Sequence, residues 1–497
     1  MIYINKGILK TELSGIDASL KTALRQTLRY ENIQQIKARA VCKKRFGYIP
    51  RGKLSWDGVT YLINEKNQFD TGLLPRVLAL LESRGQPFAF LPGAKMPTGI
   101  PQPMQKELKP YIHQRLAIEA IKENTTGIIQ IGTGGGKTKL SVVAASEIGQ
   151  FPFLFVVNRI SLLEQTHADY TMYFNEKIGF LGDGRVEVER INIATIGTLC
   201  SMLKIKLTSD DTEKLNYTPE QIKAAKDILK ATKFVVIDEC HHAAADTYKK
   251  LMSELPNAHV RIGLSATPFR TDGTDIMLEA AFGKIIYVKT ASELIREKIL
   301  CQPSITMLTY KDPVLSKMFP KDNRKANYAT VYKQCVVENE VFNELVAQVA
   351  ATNGEMGRLT LVSVKQVKHG EAILEIMQRI APKMNTVFLH GKNKKKLDES
   401  KVKKDFADGH IPVLISTLFN EGVDIPRIDT VVDAGGGSSP INTLQLIGRA
   451  LRQYPGKKKA YIYMFVQPYA HLYKHAMARY EILQTEEAFK VKVINWD

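Results

Sequence analysis

Glycines, a lysine and a threonine stand together where an apolar run meets a helix-prone segment. The run Gly127–Ile131 predicts a buried strand, and Lys137-Thr138 opens the following helix. The loop between them consists of Gly132, Thr133, Gly134, Gly135 and Gly136. Glycines let backbone amides turn toward a phosphate where a Cβ would crowd it, and the helix N-terminus adds partial positive charge. The layout predicts a P-loop, in which Lys137 reaches the outer phosphates of ATP and Thr138 holds Mg²⁺.

Two features temper that prediction. The strict P-loop spacing places glycine where this chain has Ile131. A flexible glycine turn before a helix is the other interpretation of the same residues.

A pair of carboxylates forms the second chemical signal. Asp238 and Glu239 directly follow the apolar run Phe234–Ile237. Asp238 suits coordination of Mg²⁺ through water, and Glu239 suits orientation or deprotonation of an attacking water. Nucleotide hydrolysis needs both functions downstream of a P-loop. The alternative is that Asp238 caps a helix N-terminus.

Two arginines near the end of the chain supply the third signal. Arg449 and Arg452 are spaced i, i+3, which places both on one side of a predicted helix. A planar, permanently charged guanidinium suits the charge that spreads in a phosphoryl transition state, where an arginine finger accelerates hydrolysis about 10³–10⁵-fold. The alternative is that these arginines pair with surface carboxylates.

The elements that must position these groups alternate between short apolar runs and helical patterns. Such alternation predicts parallel sheets covered by helices, an α/β fold. In residues 105–290 the predicted strands are Ile128–Ile131, Phe153–Val157, Ile191–Ala194, Phe234–Ile237 and Arg261–Leu264. In residues 300–497 they are Leu359–Val364, Asn385–Leu389, Pro412–Ser416, Thr430–Ala434 and Lys459–Val466. The polar stretch Lys204 to Lys233 predicts a helical surface insertion, and residues 300–497 show no second glycine phosphate loop.

Residues 1–90 predict a separate small basic α+β domain that binds DNA. Residues 1–100 contain 16 Lys/Arg against 7 Asp/Glu, half of the chain's net charge of +18. Lys21 and Arg25 share one face of a helix predicted from Ile16 to Tyr30. The run Lys43, Lys44 and Arg45 adjoins aromatic residues, which suits phosphate contacts with stacking. A solvated face is the alternative. The Gly- and Pro-bearing stretch Phe88 to Pro103 predicts a linker, assigned to residues 91–104.

Composition sets the class of protein. The chain has 497 residues, 44% hydrophobic and 24% charged, which is a globular composition of two to four domains. Its positive charge indicates a polyanionic partner. Five scattered cysteines lack metal-ligand spacing, and no stretch reaches 18 apolar residues. We therefore expect a cytoplasmic protein without disulfides, structural zinc or a membrane span.

The segment Asp238-Glu239-Cys240-His241 resembles the DExH box of superfamily 2 helicases and translocases. Further segments resemble that family's motifs, in its order. They are Leu108, Tyr111 and Gln114 (Q-motif), Asn158–Gln165 (Ia), Ile193–Leu199 (Ib), Ser265–Arg270 (III), Thr417–Asp424 (V) and Gln445–Arg452 (VI). The resemblance covers most of residues 105–455 and implies two tandem RecA-like domains, residues 105–290 and 300–497, that use ATP and Mg²⁺.

The resemblance also implies roles for residues in these motifs. Tyr111 and Gln114 would contact adenine, and Gly422 and Asp424 would contact the nucleotide. The predicted nucleic-acid contacts are Arg159, Thr195, Thr198 and Thr417, to which His390-Gly391 after a predicted strand adds a candidate phosphate contact. The predicted coupling residues are His241, Ser265, Thr267 and Gln445. Plainer alternatives are a polar core residue for His241, cap residues for Ser265 and Thr267, and a simple turn at His390-Gly391.

Two departures indicate a branch within the family. Motif VI begins with Gln445 rather than His, and the motif II segment reads DECH rather than DEAD. The layout is similar to UvsW-type branch-migration helicases of large bacteriophages. We therefore predict a monomeric ATP-driven DNA translocase that remodels forks and four-way junctions in replication, recombination or repair.

Its expected partners are single-stranded and branched duplex DNA, together with single-strand-binding or recombination proteins in the host bacterial cytoplasm. Three alternatives remain open: an RNA helicase, a motor subunit of a restriction or nuclease assembly, and a nucleotide-binding switch that never translocates.

Overall fold

The computed structural model describes residues 1–49, 56–93, 96–205, 216–241, 245–267, 275–323, 325–391, 398–418 and 425–496. The chain divides into two compact units. One contains residues 1–131 and 136–288, and the other contains residues 132–135 and 289–497.

The first unit begins with a small four-stranded sheet in the order β5-β2-β1-β6 and a two-stranded pair, β3-β4. Its elements are β1 (Ile2–Lys6), β2 (Lys10–Ser14), α1 (Ala18–Thr27), β3 (Arg29–Glu31), α2 (Ile33–Phe46), β4 (Val59–Tyr61), β5 (Gln68–Asp70), a 3₁₀ turn (Thr71–Leu73), α3 (Leu74–Ser83) and β6 (Phe88–Phe90). This is the predicted α+β composition. Two boundaries were wrong, because Arg29 and Tyr30 pair with β4 instead of extending the helix, and Phe88–Phe90 pairs with β1 rather than starting a linker.

The same unit contains an eight-stranded sheet in the order β10-β9-β11-β8-β12-β13-β7-β14. Its elements are α4 (Ile112–Asn124), β7 (Thr126–Ile131), α5 (Lys137–Ile148), β8 (Phe153–Val157), α6 (Ile160–Tyr173), β9 (Ile178–Gly182), β10 (Arg185–Glu187), β11 (Ile191–Thr195), α7 (Ile196–Met202), α8 (Pro219–Ala231), β12 (Phe234–Ile237), α9 (Ala245–Ser253), β13 (Val260–Ser265), α10 (Asp275–Phe282) and β14 (Ile285–Lys289). The central pairings are parallel. All five predicted strands are confirmed to within two residues, whereas β9, β10 and β14 were missed.

The N-terminal segment and the eight-stranded sheet share one hydrophobic core. Ile4 and Phe69 belong to the same buried cluster as Leu154 and Phe282. A Cβ on Gly72 would collide with the backbone carbonyl of Glu279 on α10, so the two parts are in close backbone contact. The N-terminal segment therefore packs directly on the sheet that holds the predicted P-loop.

The second unit contains a seven-stranded sheet in the order β17-β18-β16-β19-β20-β15-β21. Its elements are α11 (Ala291–Arg296), β15 (Gln302–Thr309), α12 (Pro313–Met318), α13 (Tyr328–Tyr332), a π-helical turn (Lys333–Val337), α14 (Glu340–Glu355), β16 (Thr360–Ser363), α15 (Val367–Ile380), β17 (Thr386–Leu389), α16 (Glu399–Asp408), β18 (Val413–Ser416), β19 (Thr430–Asp433), α17 (Pro440–Ala450), β20 (Lys459–Val466), α18 (Leu472–Gln484) and β21 (Val491–Asn495). The ladders of this sheet are parallel.

The fold class is confirmed: two RecA-like parallel-sheet domains accompany a small α+β segment. The five strands predicted for the second sheet are present, and β15 and β21 were missed. The predicted insertion contains α8, which begins with a capping box between Thr218 and Gln221, while residues 206–215 lie outside the described part of the chain. Within that part, no helix combines the length and apolarity needed to cross a membrane.

Candidate nucleotide site and nucleic-acid surfaces

The glycine loop adopts a backbone that side chains would obstruct. Gly134 and Gly136 have φ of 87° and 77°, in the left-handed region. A Cβ on Gly136 would collide with the side-chain amide of Gln114. Gly136 is also the N-cap of α5, so Lys137 and Thr138 are its first residues. The loop therefore provides the open backbone cradle that a phosphate requires.

Gln114 holds this loop against α4. Its Nε2 donates to the carbonyl of Gly136 at 3.0 Å, and its Oε1 accepts from the backbone N–H of Tyr111 at 2.9 Å. Tyr111 itself is 54% exposed and stacks on His113, with 5.7 Å between ring centroids. The structure thus gives the Gln114 amide a loop-positioning role, whereas the ring of Tyr111 is exposed.

The carboxylate pair lies beside the P-loop lysine. Lys137 Nζ is 3.3 Å from Glu239 Oε1. Glu239 has a φ of 46°, which is strained for a residue with a Cβ, and such strain concentrates at functional sites. Backbone hydrogen bonds fix the residues on either side of Glu239. The N–H of Asp238 donates to the carbonyl of Val156 in β8, and the N–H of Cys240 donates to the carbonyl of Leu264 in β13. Neighbouring strands therefore hold the catalytic candidate in its unusual conformation.

The surroundings of Asp238 disfavour its ionised carboxylate, which a bound cation would stabilise. Burial, followed by repulsion from Glu239, raises its pKa to about 7, although Lys137 acts in the opposite direction. A divalent ion next to this carboxylate would favour its ionised form. Thr133 adds a buried hydroxyl without a hydrogen-bond partner among the described residues. The residues present thus fit a nucleotide with its Mg²⁺, with Asp238 and Thr138 as candidate ligands.

A chain of polar contacts leads away from the carboxylates. His241 Nδ1 lies 3.4 Å from Glu239 Oε2 and 2.7 Å from Ser265 Oγ at the end of β13. Ser265 Oγ in turn accepts from the backbone N–H of Thr267 at 3.1 Å. Three of the predicted coupling residues therefore form one chain of contacts in the first unit. His242 and the remainder of the motif III segment, Pro268–Arg270, lie outside the described residues.

Ser141 and Tyr170 also position the P-loop helix, and sequence reasoning missed both. Ser141 Oγ donates to the carbonyl of Thr138 at 2.6 Å and lies 2.8 Å from the Tyr170 hydroxyl of α6. Burial raises the pKa of Tyr170, so its hydroxyl stays protonated. No sequence signal could have identified this pair, because the two residues belong to different helices.

The motif VI arginines lie in the second unit, but not on one helix. Helix α17 ends at Ala450, so it contains Arg449, while Arg452 follows it and forms a β-bridge with Leu300. The predicted i, i+3 helical geometry was therefore wrong, because the helix ends two residues before Arg452. Burial lowers the pKa of Arg452 to about 10.

Motif VI also touches the part of the glycine loop that belongs to the second unit. A Cβ on Gly448 would collide with Thr133. Gln445 is buried on α17, and its Oε1 lacks a hydrogen-bond partner among the described residues.

The predicted nucleic-acid contacts differ in their accessibility. Arg159 is exposed at the start of α6. Thr195 and Thr198 are buried and bonded to each other at 2.8 Å as the cap of α7, so their side chains are structural. In the second unit, His390-Gly391 follows β17 and Thr417 follows β18. Gly422 and Asp424 lie outside the described residues.

The basic residues of the N-terminal segment fall into two groups. Lys21 and Arg25 both pair with Glu65, at 3.0 and 2.8 Å, so their charge is partly compensated. Lys43 and Lys44 are exposed on α2. The side chain of Arg45, the third member of that run, lies outside the described set.

Two protein families match the chain. Residues 102–270 match the family "Type III restriction enzyme, res subunit", and residues 340–453 match "Helicase conserved C-terminal domain".

The chain is similar to putative helicase 22 of Sulfolobus islandicus filamentous virus, with 27% identity over 72% of this chain and 64% of the relative. It is 26% identical to the DNA 3'-5' translocase XPB2 of Sulfurisphaera tokodaii, over 71% of this chain and 81% of that protein. It is 23% identical to the ATP-dependent DNA helicase uvsW of Enterobacteria phage T4, over 72% and 68%.

Among solved structures, a fragment of a putative HsdR subunit of a type I restriction enzyme from Vibrio vulnificus YJ016 has the same fold. Its TM-score is 0.55 at 16% identity, over 78% of this chain and 69% of that one.

Proposed function

Since the chain belongs to the superfamily 2 DExH helicases and translocases, which are ATP-hydrolysing nucleic-acid motors, we propose that it is a DNA translocase that remodels branched DNA. The relatives named a DNA translocase and a DNA helicase favour DNA over RNA as the track. The similarity to uvsW and the basic N-terminal segment favour forks and four-way junctions as substrates.

The observation that carries this proposal is the contact chain Lys137–Glu239–His241–Ser265–Thr267. It connects a P-loop lysine to the end of β13 through an ion pair, a 3.4 Å contact between Glu239 and His241, and hydrogen bonds at Ser265. Glu239 can change its contacts when the lysine engages phosphate instead, and the change reaches Ser265 through His241. A nucleotide-binding switch would also transmit the state of the nucleotide to a distant surface, so stimulation of ATP hydrolysis by DNA is the property that separates a motor from a switch.

The residues that we assign to ATP hydrolysis and those that we assign to nucleic-acid binding lie in different parts of the chain. ATP with Mg²⁺ supplies the bond whose hydrolysis drives movement. Lys137 and the glycine loop hold its phosphates, Glu239 orients the attacking water, and Arg449 stabilises the transition state. Arg159, His390 and Thr417 contact the sugar-phosphate backbone, which carries no sequence information, so little sequence preference is expected. Residues 1–90 act as an accessory domain that holds duplex DNA at the branch.

The second candidate function is a motor subunit of a restriction or nuclease assembly. The match of residues 102–270 to a restriction-enzyme res subunit favours it. Cleavage activity would then come from a partner, and gel filtration with and without DNA would detect an obligate assembly.

We expect ATP-dependent conversion of a fork and a four-way junction, but not of a blunt duplex, when the three DNA substrates are compared. Branched DNA offers the strand end and the duplex arms that the motor and the accessory domain bind together. Conversion is measured by native gel electrophoresis, and ATPase stimulation is measured in parallel with forked DNA and duplex RNA at equal nucleotide concentration. Stronger stimulation by RNA would overturn the choice of DNA. Translocation on DNA without branch conversion would favour the restriction-type motor.

The exposed residues Lys43 and Lys44 on α2 should contribute more to DNA binding than Lys21 and Arg25 on α1, which form ion pairs with Glu65. Simultaneous Lys43→Ala and Lys44→Ala substitution should weaken duplex binding and reduce the slope of log K against log salt by roughly 0.9 for each phosphate that the protein no longer neutralises. The matched control, Lys21→Ala with Arg25→Ala, removes the same charge from side chains that Glu65 partly neutralises, so a smaller change is expected. Fluorescence anisotropy over a salt series measures both. Equal slopes for the two double variants would contradict the assignment of α2.

A further inference from the structure

Helix α2 of the N-terminal segment contributes little to the hydrophobic core. None of its side chains that the structure describes is buried, and Ile33 and Val41 are 47% and 63% exposed. A helix that stabilises a domain by packing turns one apolar face toward the core. The described part of α2 shows no such face, so its surface is accessible to a partner outside the chain.

The segment that precedes β4 is hydrogen-bonded to this helix at Trp56. The carbonyl of Trp56 accepts from Gln35 Nε2 at 3.1 Å and from Arg39 Nη1 at 3.0 Å. The indole Nε1 donates to the carbonyl of Val59 at 2.8 Å. These three bonds hold the backbone of Trp56 on α2 and restrict the orientation of its ring.

Gly58 brings the backbone of the same segment against the helix. It has a φ of 90°, and a Cβ there would lie only 2.6 Å from Cγ1 of Ile36. Its carbonyl accepts from the N–H of Asn32, the N-cap of α2, at 2.7 Å. The turn that carries Trp56 is therefore bound to α2 through its backbone as well as through side chains.

The ring of Trp56 is held in place and is still accessible. Trp56 is 40% exposed. Because its Nε1 is already hydrogen-bonded, only carbon atoms of the side chain remain for further contacts. A side chain that is ordered in advance loses little conformational freedom on binding. Every nucleobase has a π-face, so a rigid, exposed indole suits stacking on a base.

Basic residues extend along the side of α2 that holds Trp56. Gln35, Arg39 and Lys43 follow one another at i, i+4 spacing, so they line one side of the helix. Arg39 donates to the Trp56 carbonyl, and Lys43, one turn further, is exposed. A strand whose base stacks on Trp56 would bring its phosphates close to this side of α2. Aromatic stacking combined with a cationic surface is typical of proteins that bind single strands.

The arrangement favours an unpaired base as the ligand. Within a continuous duplex each base is covered on both faces, so an indole reaches a base face only if two base pairs are unstacked. Where strands separate, at a fork or a four-way junction, a base face becomes accessible. Phosphates are chemically the same in every DNA. A lysine surface alone therefore cannot distinguish a branch from a plain duplex, whereas a stacking residue can.

We propose that Trp56 stacks on an unpaired base at the point where DNA strands separate, while α2 binds the adjoining phosphates. This inference rests on the proposed function, because it gives the N-terminal segment a means of selecting branched DNA. It assigns the selection to one aromatic ring and the affinity to the neighbouring positive charge.

Tryptophan fluorescence tests the contact directly. The chain contains two tryptophans, Trp56 and Trp496. In the full chain with Trp496→Phe, Trp56 is the only indole, and stacking on a base quenches its emission. Oligothymidylate and a fork with single-stranded arms should quench this emission, whereas a blunt duplex at equal nucleotide concentration should not. The control is Trp56→Phe, which retains Trp496 and should show no quenching with any of the three.

Anisotropy of a fluorescein-labelled single strand gives the second measurement. Trp56→Ala should weaken binding roughly 5- to 150-fold, the range for loss of one base–aromatic stack. The slope of log K against log salt should not change, because no phosphate contact is removed. Trp56→Phe should recover part of the affinity. Tyr3→Ala is the matched control, since it removes a 44% exposed aromatic ring from β1 and should leave binding unchanged.

The outcomes separate this contact from the function as a whole. A bound single strand without quenching, or unchanged affinity in Trp56→Ala, would overturn the stacking role in a chain that still converts branched DNA. Equal quenching by the blunt duplex would overturn the choice of an unpaired base. Absence of DNA binding by the unsubstituted chain would overturn the proposed function itself. If Trp56→Ala lowers the melting temperature, the quenching result decides, because Trp56 is intact in that variant.

Discussion

Replacement of Lys137 by alanine is expected to reduce ATP hydrolysis to background while DNA binding persists. Lys137 is the first residue of α5, and its ammonium lies 3.4 Å from the carbonyl of Ile131, where the glycine loop begins. Removal of the ammonium deprives the outer phosphates of their nearest positive charge. It also removes the cation that lies 3.3 Å from Glu239 Oε1. Both effects act at the reacting centre, so the loss should appear in turnover rather than in DNA affinity.

The measurement pairs a steady-state ATPase assay with anisotropy on the same preparation. Lys139→Ala is the matched control, because Lys139 lies on the same helix two residues later and is exposed to solvent. It removes the same charge and should leave turnover nearly unchanged. Retained hydrolysis in Lys137→Ala would place the nucleotide elsewhere. Loss of both activities, with a lowered melting temperature, would show that Lys137 stabilises the fold instead.

Continuous apolar runs, rather than burial alone, mark the strands that sequence reasoning found, since the missed strand β9 is buried along its whole length. Phe153–Val157 and Phe234–Ile237 are fully buried, and such strands appear in a sequence as continuous apolar runs. The missed strands lack that pattern. Gly179 and Gly182 interrupt β9, and four of the five residues of the edge strand β21 are exposed. Strand identity in these cases depends on the neighbour in the sheet, which the local sequence does not contain.

The chemistry of the site was predictable, but its positioning was not. The P-loop and the Asp238-Glu239 pair follow from residue type and spacing, because each motif is local. The left-handed backbone of Glu239 is imposed by hydrogen bonds from neighbouring strands, and the bond from Gln114 to Gly136 joins α4 to the loop. Thr195 was predicted to contact nucleic acid, whereas in the structure it is buried as the N-cap of α7. These features depend on tertiary contacts, which the spacing of residues within a sequence motif does not reveal.

Replacement of Arg449 by alanine is expected to leave ATP binding largely intact and to reduce turnover by about 10³–10⁵-fold, the range for an arginine finger. The guanidinium can stabilise charge on the transferred phosphoryl group, and this charge spreads only in the transition state. Removal of such a contact lowers kcat and kcat/KM together, whereas KM changes little. Arg449→Lys retains the charge but loses the planar fork, so it should recover only part of the rate.

Steady-state kinetics with saturating DNA, together with binding of a fluorescent ATP analogue, distinguish catalysis from affinity. Arg379→Ala is the control, because it removes an arginine of the same unit that forms an exposed ion pair with Glu344. Exposed pairs contribute only about 0–1 kcal/mol to stability, so this variant should fold and turn over normally. Normal turnover in Arg449→Ala would exclude the finger role. A rise in KM without a fall in kcat would instead assign Arg449 to ground-state binding of the nucleotide, in which case hydrolysis would not depend on an arginine supplied by α17.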